Sequence, residues 1–382
     1  MTSTDRIRVV HLITDLDVGG AERALARLVA AMDRTRIDST VVTLRAGGLL
    51  VDEIARHGIP VMGVSARGGT VGPRALWRLV TLLRQLRPTV LQTWLYHADL
   101  AGILAGRLAG VPAVAWNIRC AGLEPGDHSR LLRPMLSLLA LLSARPAAVV
   151  CNSDAGRLAH ERLGYHPRRW IMLPNGFDVD ALTPDDGARI GLRRELGLAE
   201  DVTLVGVVAR LHPMKDHATF LMAAAAIATR RRDVHFLLVG RGVTASVELG
   251  TLIRKLGLDS LVHRMEERLD ARAVFGALDV AVSSSYSEAF PNVVAEAMAC
   301  GTPCVVTDTG ESAAIVGETG LVVPIRDPAS LAEAILRLLM LEPDQRVELG
   351  KRARARIRSE YAIDRIARRY EALYVELAGQ AA

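Results

Sequence analysis

Two glutamates eight positions apart, Glu288 and Glu296, interrupt a small and apolar stretch, SEAFPNVVAEAMACG, that runs from Ser287 to Gly301. Pro291 suits the first position of a helix, where its missing N–H costs nothing, and Gly301 suits the position just past the helix end. Glu288 then lies in the loop feeding the helix. Glu296 lies about one and a half turns inside it, among Val293, Val294, Ala295, Ala297, Met298 and Ala299. A buried carboxylate without partners is costly, so Glu296 needs them; ligand hydroxyls or an internal arginine would both serve. An ionised carboxylate only accepts hydrogen bonds, and two of them suit a ligand dense in hydroxyls, such as a sugar and a ribose. An acid near a helix start also answers the helix dipole with no ligand present.

Cations that could answer a phosphate stand upstream. In VTLVGVVARLHPMKDHATF a strand runs into Arg210, and Lys215 sits in the loop before the next helix. A guanidinium and an ammonium there can clamp two phosphates, and the helix start beside Glu288 favours an anion as well. A solvated loop would account for two such cations equally well. A third element is ITDLDVGGAERALARL, where a strand meets Gly19 and Gly20 before a helix; glycines there let a backbone approach a phosphate or sugar. It is not the GxGxxG dinucleotide fingerprint, and no GKS/T phosphate loop occurs. Asp15 and Asp17 match a metal-binding DxD pattern only as letters and are read as shaping the turn. The residues as a set, hydroxyl acceptors around a diphosphate clamp, fit a nucleotide sugar, with no metal site and no cofactor.

Positioning these residues needs a repeated frame. Short apolar runs at 7–14, 39–44, 61–64, 90–93, 113–117 and 147–152 read as strands, with helices near 21–32, 74–86, 98–109 and 154–163 between them. The alternation pauses at LPNGFDVDALTPDDGARIGLRRELGL, whose Pro, Gly and Asp content marks turns and a domain junction. It resumes with strands at 202–209, 234–239, 261–265, 280–283, 303–307 and 320–323 and helices near 216–230, 244–256, 270–277, 291–299 and 328–341. Such alternation predicts two doubly wound α/β domains. Their ligands bind beyond the carboxyl ends of the strands, so the cleft between the domains is the expected site. The last segment, YAIDRIARRYEALYVELA, reads as a helix by its apolar spacing.

The bulk composition agrees. The 382 residues are enough for two cores. Residues 1–175 hold 22 Arg, no Lys and 13 acids, a balance of +9, and the remainder holds 25 basic and 29 acidic residues, a balance of −4. The basic front half suggests an anionic partner such as phospholipid headgroups, and an Arg-rich solvated surface is the plainer alternative. No aromatic-interleaved basic stripe points to nucleic acid. The four cysteines, Cys120, Cys151, Cys300 and Cys304, form no CxxC pair and read as buried reduced thiols of a cytoplasmic protein. The oily stretch 131–150 is broken by Arg133, Pro134, Arg145 and Pro146 and reads as a buried or interfacial helix. No signal peptide is read at the N-terminus.

Taken in order, GGAER, LPNGFD, VARLHPMKD, LLVGRG and SEAFPNVVAEAMACGTPCVVTDTG resemble the family-4 retaining glycosyltransferases along nearly the whole chain. The resemblance implies the GT-B fold: two Rossmann-like doubly wound domains facing a central cleft. The implied boundaries are 1–173 for an acceptor-side domain, 174–355 for a nucleotide-sugar-binding domain, and 356–382 for a helix crossing back to the first. It implies that Arg210 and Lys215 hold the donor diphosphate, Glu288 the hydroxyls of the transferred sugar and Glu296 the ribose. The backbone of Phe290, Pro291 and Asn292 would face phosphates and sugar, and Gly19 and Gly20 would reach the donor from the other domain. Where many members carry a histidine in the first domain, VAWNIRC has Asn117 and Arg119, and His97 in TWLYHADLAG is a possible substitute. A further departure is Glu266 or a neighbour in VHRMEERLD, at a place usually held by glycine in a loop that often lines the base pocket.

The implied reaction moves a sugar from a nucleotide diphosphate to an acceptor hydroxyl with retained configuration and without a metal, in cell-surface glycan or polysaccharide assembly. Arg210, Lys215 and Glu288 are the catalytic candidates, and no enzymic nucleophile is assigned. The basic first domain and LWRLVTLLRQLRP (76–88) suggest a lipid-linked acceptor and contact with the inner face of an anionic membrane. A nucleotide-sugar 2-epimerase on the same fold, or a non-catalytic nucleotide-sugar-binding partner subunit, are the alternatives.

Overall fold

A computed structural model describes residues 6–17, 19–65, 72–121, 132–199, 201–268 and 270–380. The chain forms two compact units, Met1–Gly176 together with Ile363–Ala382, and Phe177–Ala362. The first boundary falls three residues beyond the expected 173/174 junction and the second seven beyond 355/356. The second shift has a physical reason. A single continuous helix, Pro343–Glu360, passes through position 355 and packs within the second unit, where Gly350 lies against the backbone of Gly301.

The first unit alternates β1 (Ile7–Ile13), α1 (Gly20–Ala31), β2 (Ile37–Thr43), α2 (Val51–Arg56), β3 (Val61–Gly63), α3 (Pro73–Leu86), β4 (Val90–Trp94), α4 (Tyr96–Ala109), β5 (Ala113–Ile118), α5 (Leu132–Leu142), β6 (Ala148–Cys151), α6 (Asp154–Arg162) and β7 (Trp170–Met172). Its seven strands are parallel, in the order β3-β2-β1-β4-β5-β6-β7. Both faces are covered, so the strands are apolar runs rather than alternating ones. One core gathers Val9, Ile13 and Trp94 with Ile366, Tyr370 and Tyr374 of the terminal helix, a second gathers Val10, Leu12 and Leu91 with α3 and α4, and a third gathers Trp116, Ile118, Leu139 and Val149.

The second unit begins with α7 (Asp186–Glu195), capped by Asp185 accepting the Ala188 N–H at 3.0 Å. It continues with β8 (Thr203–Val208), α8 (His217–Ala228), β9 (Val234–Val239), α9 (Val247–Lys255), β10 (Val262–Met265), α10 (Ala271–Ala277), β11 (Val280–Ser283), α11 (Asn292–Ala299), β12 (Cys304–Thr307), α12 (Ser312–Val316), β13 (Gly320–Val323), α13 (Pro328–Leu339) and α14 (Pro343–Glu360). The strands are again parallel, in the order β10-β9-β8-β11-β12-β13. The final helix, α15 (Ile363–Gln380), belongs to the first unit.

Each sheet therefore reverses its winding once, between β1 and β4 and between β8 and β11. At such a switch point the two flanking loops diverge to opposite faces and leave a crevice at the carboxyl ends. In the second unit the two loops are 209–216 and 284–291.

Beyond the elements read from the sequence, the structure adds α2, β7, α7, α12 and α14. Pro291 is the residue before α11 rather than its first, and Asn292 begins the helix. All four cysteines are free; Cys151, Cys300 and Cys304 are buried and Cys120 is half-buried. Burial pushes the Cys151 thiol up to about 11 and the Cys300 thiol up to about 12. Among the described residues no helix is long and apolar enough to cross a membrane.

Candidate active site

The loop after β8 is anchored to the neighbouring strand. Ala209 N–H donates to Val239 at 2.8 Å and Leu211 N–H to Arg241 at 2.9 Å. The approach is close enough that a Cβ on Gly240 would collide with the Ala209 carbonyl, which accounts for the glycine in LLVGRG. His212 to Lys215 then form a short 3₁₀ turn, with His212 Nδ1 accepting from Met214 N–H at 3.3 Å. Asp216 takes a left-handed conformation (φ 46°) and caps α8, accepting from Thr219 N–H at 3.2 Å and Thr219 Oγ1 at 2.7 Å. Its carboxylate is thereby spent on the helix, and Lys215 turns to another partner.

That partner is Glu288. Lys215 Nζ donates to Glu288 Oε1, and Ser285 Oγ donates to the same oxygen at 2.7 Å. The loops carrying them are joined twice more: Tyr286 N–H donates to the Met214 carbonyl at 2.9 Å, and Ser284 Oγ to the Lys215 carbonyl at 2.9 Å. The two side chains keep only 19 % and 11 % of their surface exposed, so bulk water screens the pair weakly. Arg210 is exposed on the same loop, five positions before Lys215.

Behind the Glu288 loop, Gly310 (φ 56°) presses on its peptide. A Cβ there would sit 2.5 Å from the Glu288 carbonyl oxygen, and Glu311 N–H donates to the Ala289 carbonyl at 3.0 Å. Thr307 Oγ1 donates to the Ser283 carbonyl at 3.2 Å and also contacts that of Ser285. Phe290 is buried, stacked on Phe177 at 6.2 Å and set edge-on to Tyr361 at 5.8 Å. Pro291 and Asn292 follow at the start of α11, and Glu296 is buried in its second turn. The start of α11 and the β8 loop with its two cations thus stand at the carboxyl ends of adjacent strands, joined by Glu288 and Lys215. Such a set can hold an anion and at the same time accept hydrogen bonds from hydroxyls.

Glu266, the departure at the end of β10, braces the β9–α9 loop. It accepts from Gly242 N–H at 3.2 Å, Thr244 N–H at 3.3 Å and the Thr244 hydroxyl, and these bonds hold its carboxyl below the usual range.

The first-unit candidates have other surroundings. Gly19 precedes α1, and Glu22 folds its carboxylate back over it. Burial, then repulsion from Asp15 and Asp17, raises the Glu22 carboxyl to about 6. Asp15 accepts the Asp17 N–H at 3.4 Å, which shapes the turn between β1 and α1. His97 is exposed in the first turn of α4, just after Leu95 with its positive φ of 68°. Asn117 is wholly buried and donates to Tyr370 Oη at 3.2 Å. Arg119 lies 4.8 Å over the Trp94 ring and donates to Asn175 and Tyr370. Ser285, Gly310 and Glu22 were not singled out from the sequence; TDTG after β12 is the one local hint, a glycine at the carboxyl end of a strand.

Comparison with known proteins agrees with this architecture. Residues 18–181 match the model of Glycosyltransferase Family 4, and residues 202–340 that of Glycosyl transferases group 1. EpsF of Bacillus subtilis, a provisionally assigned glycosyltransferase, is 28 % identical over 79 % of this chain and 79 % of its own. The D-inositol 3-phosphate glycosyltransferase of Geodermatophilus obscurus is 33 % identical over 58 % of this chain, which spans about half, 52 %, of that relative's length. Among solved structures, Anabaena HepE, crystallised with UDP and glucose, superposes with a TM-score of 0.83 at 23 % identity over 97 % of this chain and 100 % of its own. Sucrose-phosphate synthase of Thermosynechococcus elongatus gives a TM-score of 0.81 at 20 % identity over 98 % and 100 %. Two matching family models in chain order, on two parallel doubly wound sheets, place the chain among the glycosyltransferases of family 4, group 1, with the GT-B fold.

Proposed function

We propose that the protein transfers a sugar from a nucleoside diphosphate donor to an acceptor hydroxyl with retention of anomeric configuration and without a metal ion. The observation that carries this reading is the Lys215–Glu288 pair at the β8/β11 switch point, beside Arg210 and the start of α11. The HepE structures bind UDP, UDP with glucose, or UDP-glucose, which supports a nucleotide-sugar donor here.

In the proposed reaction the bond from the anomeric carbon to the diphosphate oxygen breaks, and negative charge grows on the leaving group. Arg210, Lys215 and the α11 amides meet that charge where it develops. The acceptor oxygen bonds to the anomeric carbon on the face the diphosphate leaves, and its proton passes to a diphosphate oxygen. Glu288 orients hydroxyls of the sugar, Glu296 holds the ribose, and the backbone at Phe290–Asn292 lines the phosphates.

The acceptor is proposed to be a membrane-borne glycan or glycolipid precursor at a cytoplasmic membrane face. In the first unit, α3, α4 and α5 pack side by side and expose Trp77, Leu104, Leu108, Leu138 and Leu141. Arg74, Arg78, Arg84, Arg107 and Arg133 are exposed on the same three helices, whose one acid, Asp99, is buried. Apolar residues within a cationic, acid-free layer suit an anionic bilayer surface.

The test is a panel of nucleotide sugars incubated with bacterial lipid extract, with and without EDTA, reading free nucleoside diphosphate and the anomer of the product by NMR. Extract-dependent release with retained anomer, unaffected by EDTA, is expected. An inverted product, or conversion of the donor alone to an epimer, overturns the reading.

A further inference from the structure

The β13–α13 loop, Pro324 to Asp327, emerges at the same end of the sheet as the Glu288 loop. β12 and β13 are parallel with Thr307 opposite Val323, and Asp308 N–H donates to the Val323 carbonyl at 2.8 Å. Asp327 is spent as the α13 cap, accepting from Ser330 N–H at 3.0 Å and Ser330 Oγ at 2.6 Å. Its neighbour Arg326 is unusual on three counts. It holds a positive φ of 56°, a conformation that favours glycine. Its guanidinium lies 4.2 Å over the ring of Tyr286, two residues before Glu288. The side chain is exposed, and among the described residues no acceptor takes any of its N–H groups.

Stacking engages the face of a guanidinium and leaves its edge, with the forked N–H donors, available. The Tyr286 backbone in turn is tied through its N–H to the Met214 carbonyl, next to Lys215. The strand order β8-β11-β12-β13 puts Arg326 on the far side of Glu288 from the phosphate cations. With the donor placed as proposed above, phosphates at Lys215 and sugar at Glu288, that side is the sugar's. A backbone conformation costly for arginine, an aromatic seat and a donor fork that no described residue uses are together the marks of a residue placed to meet an anion.

We propose that Arg326 is a specificity-determining residue that reads an anionic oxygen group, carboxylate or phosphate, at the sugar end of the donor subsite. This rests on the donor reading above. The anion could be a carboxylate on the transferred sugar or a phosphate on the acceptor, and the test separates the two.

Calorimetric titrations of the full chain compare wild type, R326G and R326K. Glycine suits the backbone at this position, so R326G should fold at least as stably as wild type, and R326K retains the charge but not the fork. The first arm uses two pairs differing only at C6: UDP-glucose with UDP-glucuronate, and GDP-mannose with GDP-mannuronate. The second uses inositol with inositol 3-phosphate, added to the protein saturated with the corresponding nucleoside diphosphate. Wild type should prefer the anionic member in one arm by about tenfold or more. R326G should abolish that preference while leaving the neutral member's affinity within about twofold, and R326K should keep part of it. Preference in the first arm alone names the sugar carboxylate, and in the second alone the acceptor phosphate. Equal loss for charged and neutral probes in R326G, or no preference in either arm, overturns the proposal and leaves the stack a structural staple. If none of the four nucleotide sugars binds wild type, the donor reading itself fails.

Discussion

The Lys215–Glu288 pair makes an unusual prediction, because the two residues are proposed to serve different parts of one ligand yet satisfy each other in the free protein. A diphosphate must draw Lys215 away from Glu288 before it can use the full charge. The gross attraction of a unit pair at about 3 Å is about 5 kcal/mol at an effective dielectric of 20. Desolvation of two groups that keep 19 % and 11 % of their surface takes back most of that, leaving about 1–2 kcal/mol net. Glu288→Gln removes this competitor while keeping the shape. A bare nucleoside diphosphate, which has no sugar for Glu288 to read, should then bind about 5–30-fold more tightly than to wild type. The nucleotide sugar should lose charge-assisted hydrogen bonds to its hydroxyls, each worth about 1.5–3 kcal/mol, so its advantage over the bare nucleotide shrinks and turnover falls.

The assay is calorimetric titration of UDP and UDP-glucose into wild type, E288Q, K215A and the double variant. K215A should weaken UDP by about tenfold or more, and the gain from E288Q should vanish in the K215A background, since the two effects act through one pair. Weaker UDP binding in E288Q, or the same gain with and without Lys215, would refute the competition. It would also show that Glu288 touches the phosphates rather than the sugar.

Three further perturbations test the frame around the site. Glu22 should make stability fall as pH rises: its carboxyl ionises at about 6 when folded and at 4.5 when not, so stability present below 4.5 is lost by about 6. The loss is about 2 kcal/mol, and Glu22→Gln should flatten that part of the profile in urea unfolding measured from pH 4 to 7. Gly310→Ala places a Cβ 2.5 Å from the Glu288 carbonyl oxygen at a φ of 56° and should cost about 2–4 kcal/mol in chemical denaturation while lowering turnover; unchanged activity would show that the loop it presses on is not critical. Asp279→Ala removes the carboxylate that accepts from the buried Arg193 at 2.7 Å and from Arg189 at 2.9 Å, so a loss of about 3–5 kcal/mol is expected by the same measurement.

Strand–helix alternation revealed the two sheets because buried parallel strands are written as short apolar runs, and those runs need no distant partner to be seen. Two of the elements that escaped have a shape set elsewhere. β7 is three half-buried residues at a sheet edge, ordered by pairing with β6 rather than by its own pattern. α7 hides behind Gly187, Gly191 and a charged composition. Its anchoring is Arg193, wholly buried on Asp279 and on the carbonyls of Ala277 and Val202, and no apolar periodicity could signal it.

The site divides along the same line. Arg210, Lys215, Glu288 and Glu296 are readable because loop and helix positions follow from local punctuation: Pro291, Gly301, and the strand before each loop. What joins Lys215 to Glu288 is not local. Ser285 shares Glu288 with Lys215 across 73 positions of chain, and Gly310 holds the Glu288 peptide from behind. In the first unit, the surroundings of Asn117 and Arg119 are set by the terminal helix as well as by their own strand. Tyr370, 253 positions from Asn117, then takes its amide. A polar residue near a strand end is thus an incomplete signal by itself, since a helix far along the chain supplies part of its surroundings. Glu288 differs because its protein partner, Lys215, is a cation that a diphosphate can draw away, so the same contact that satisfies it at rest gives the ligand something to displace.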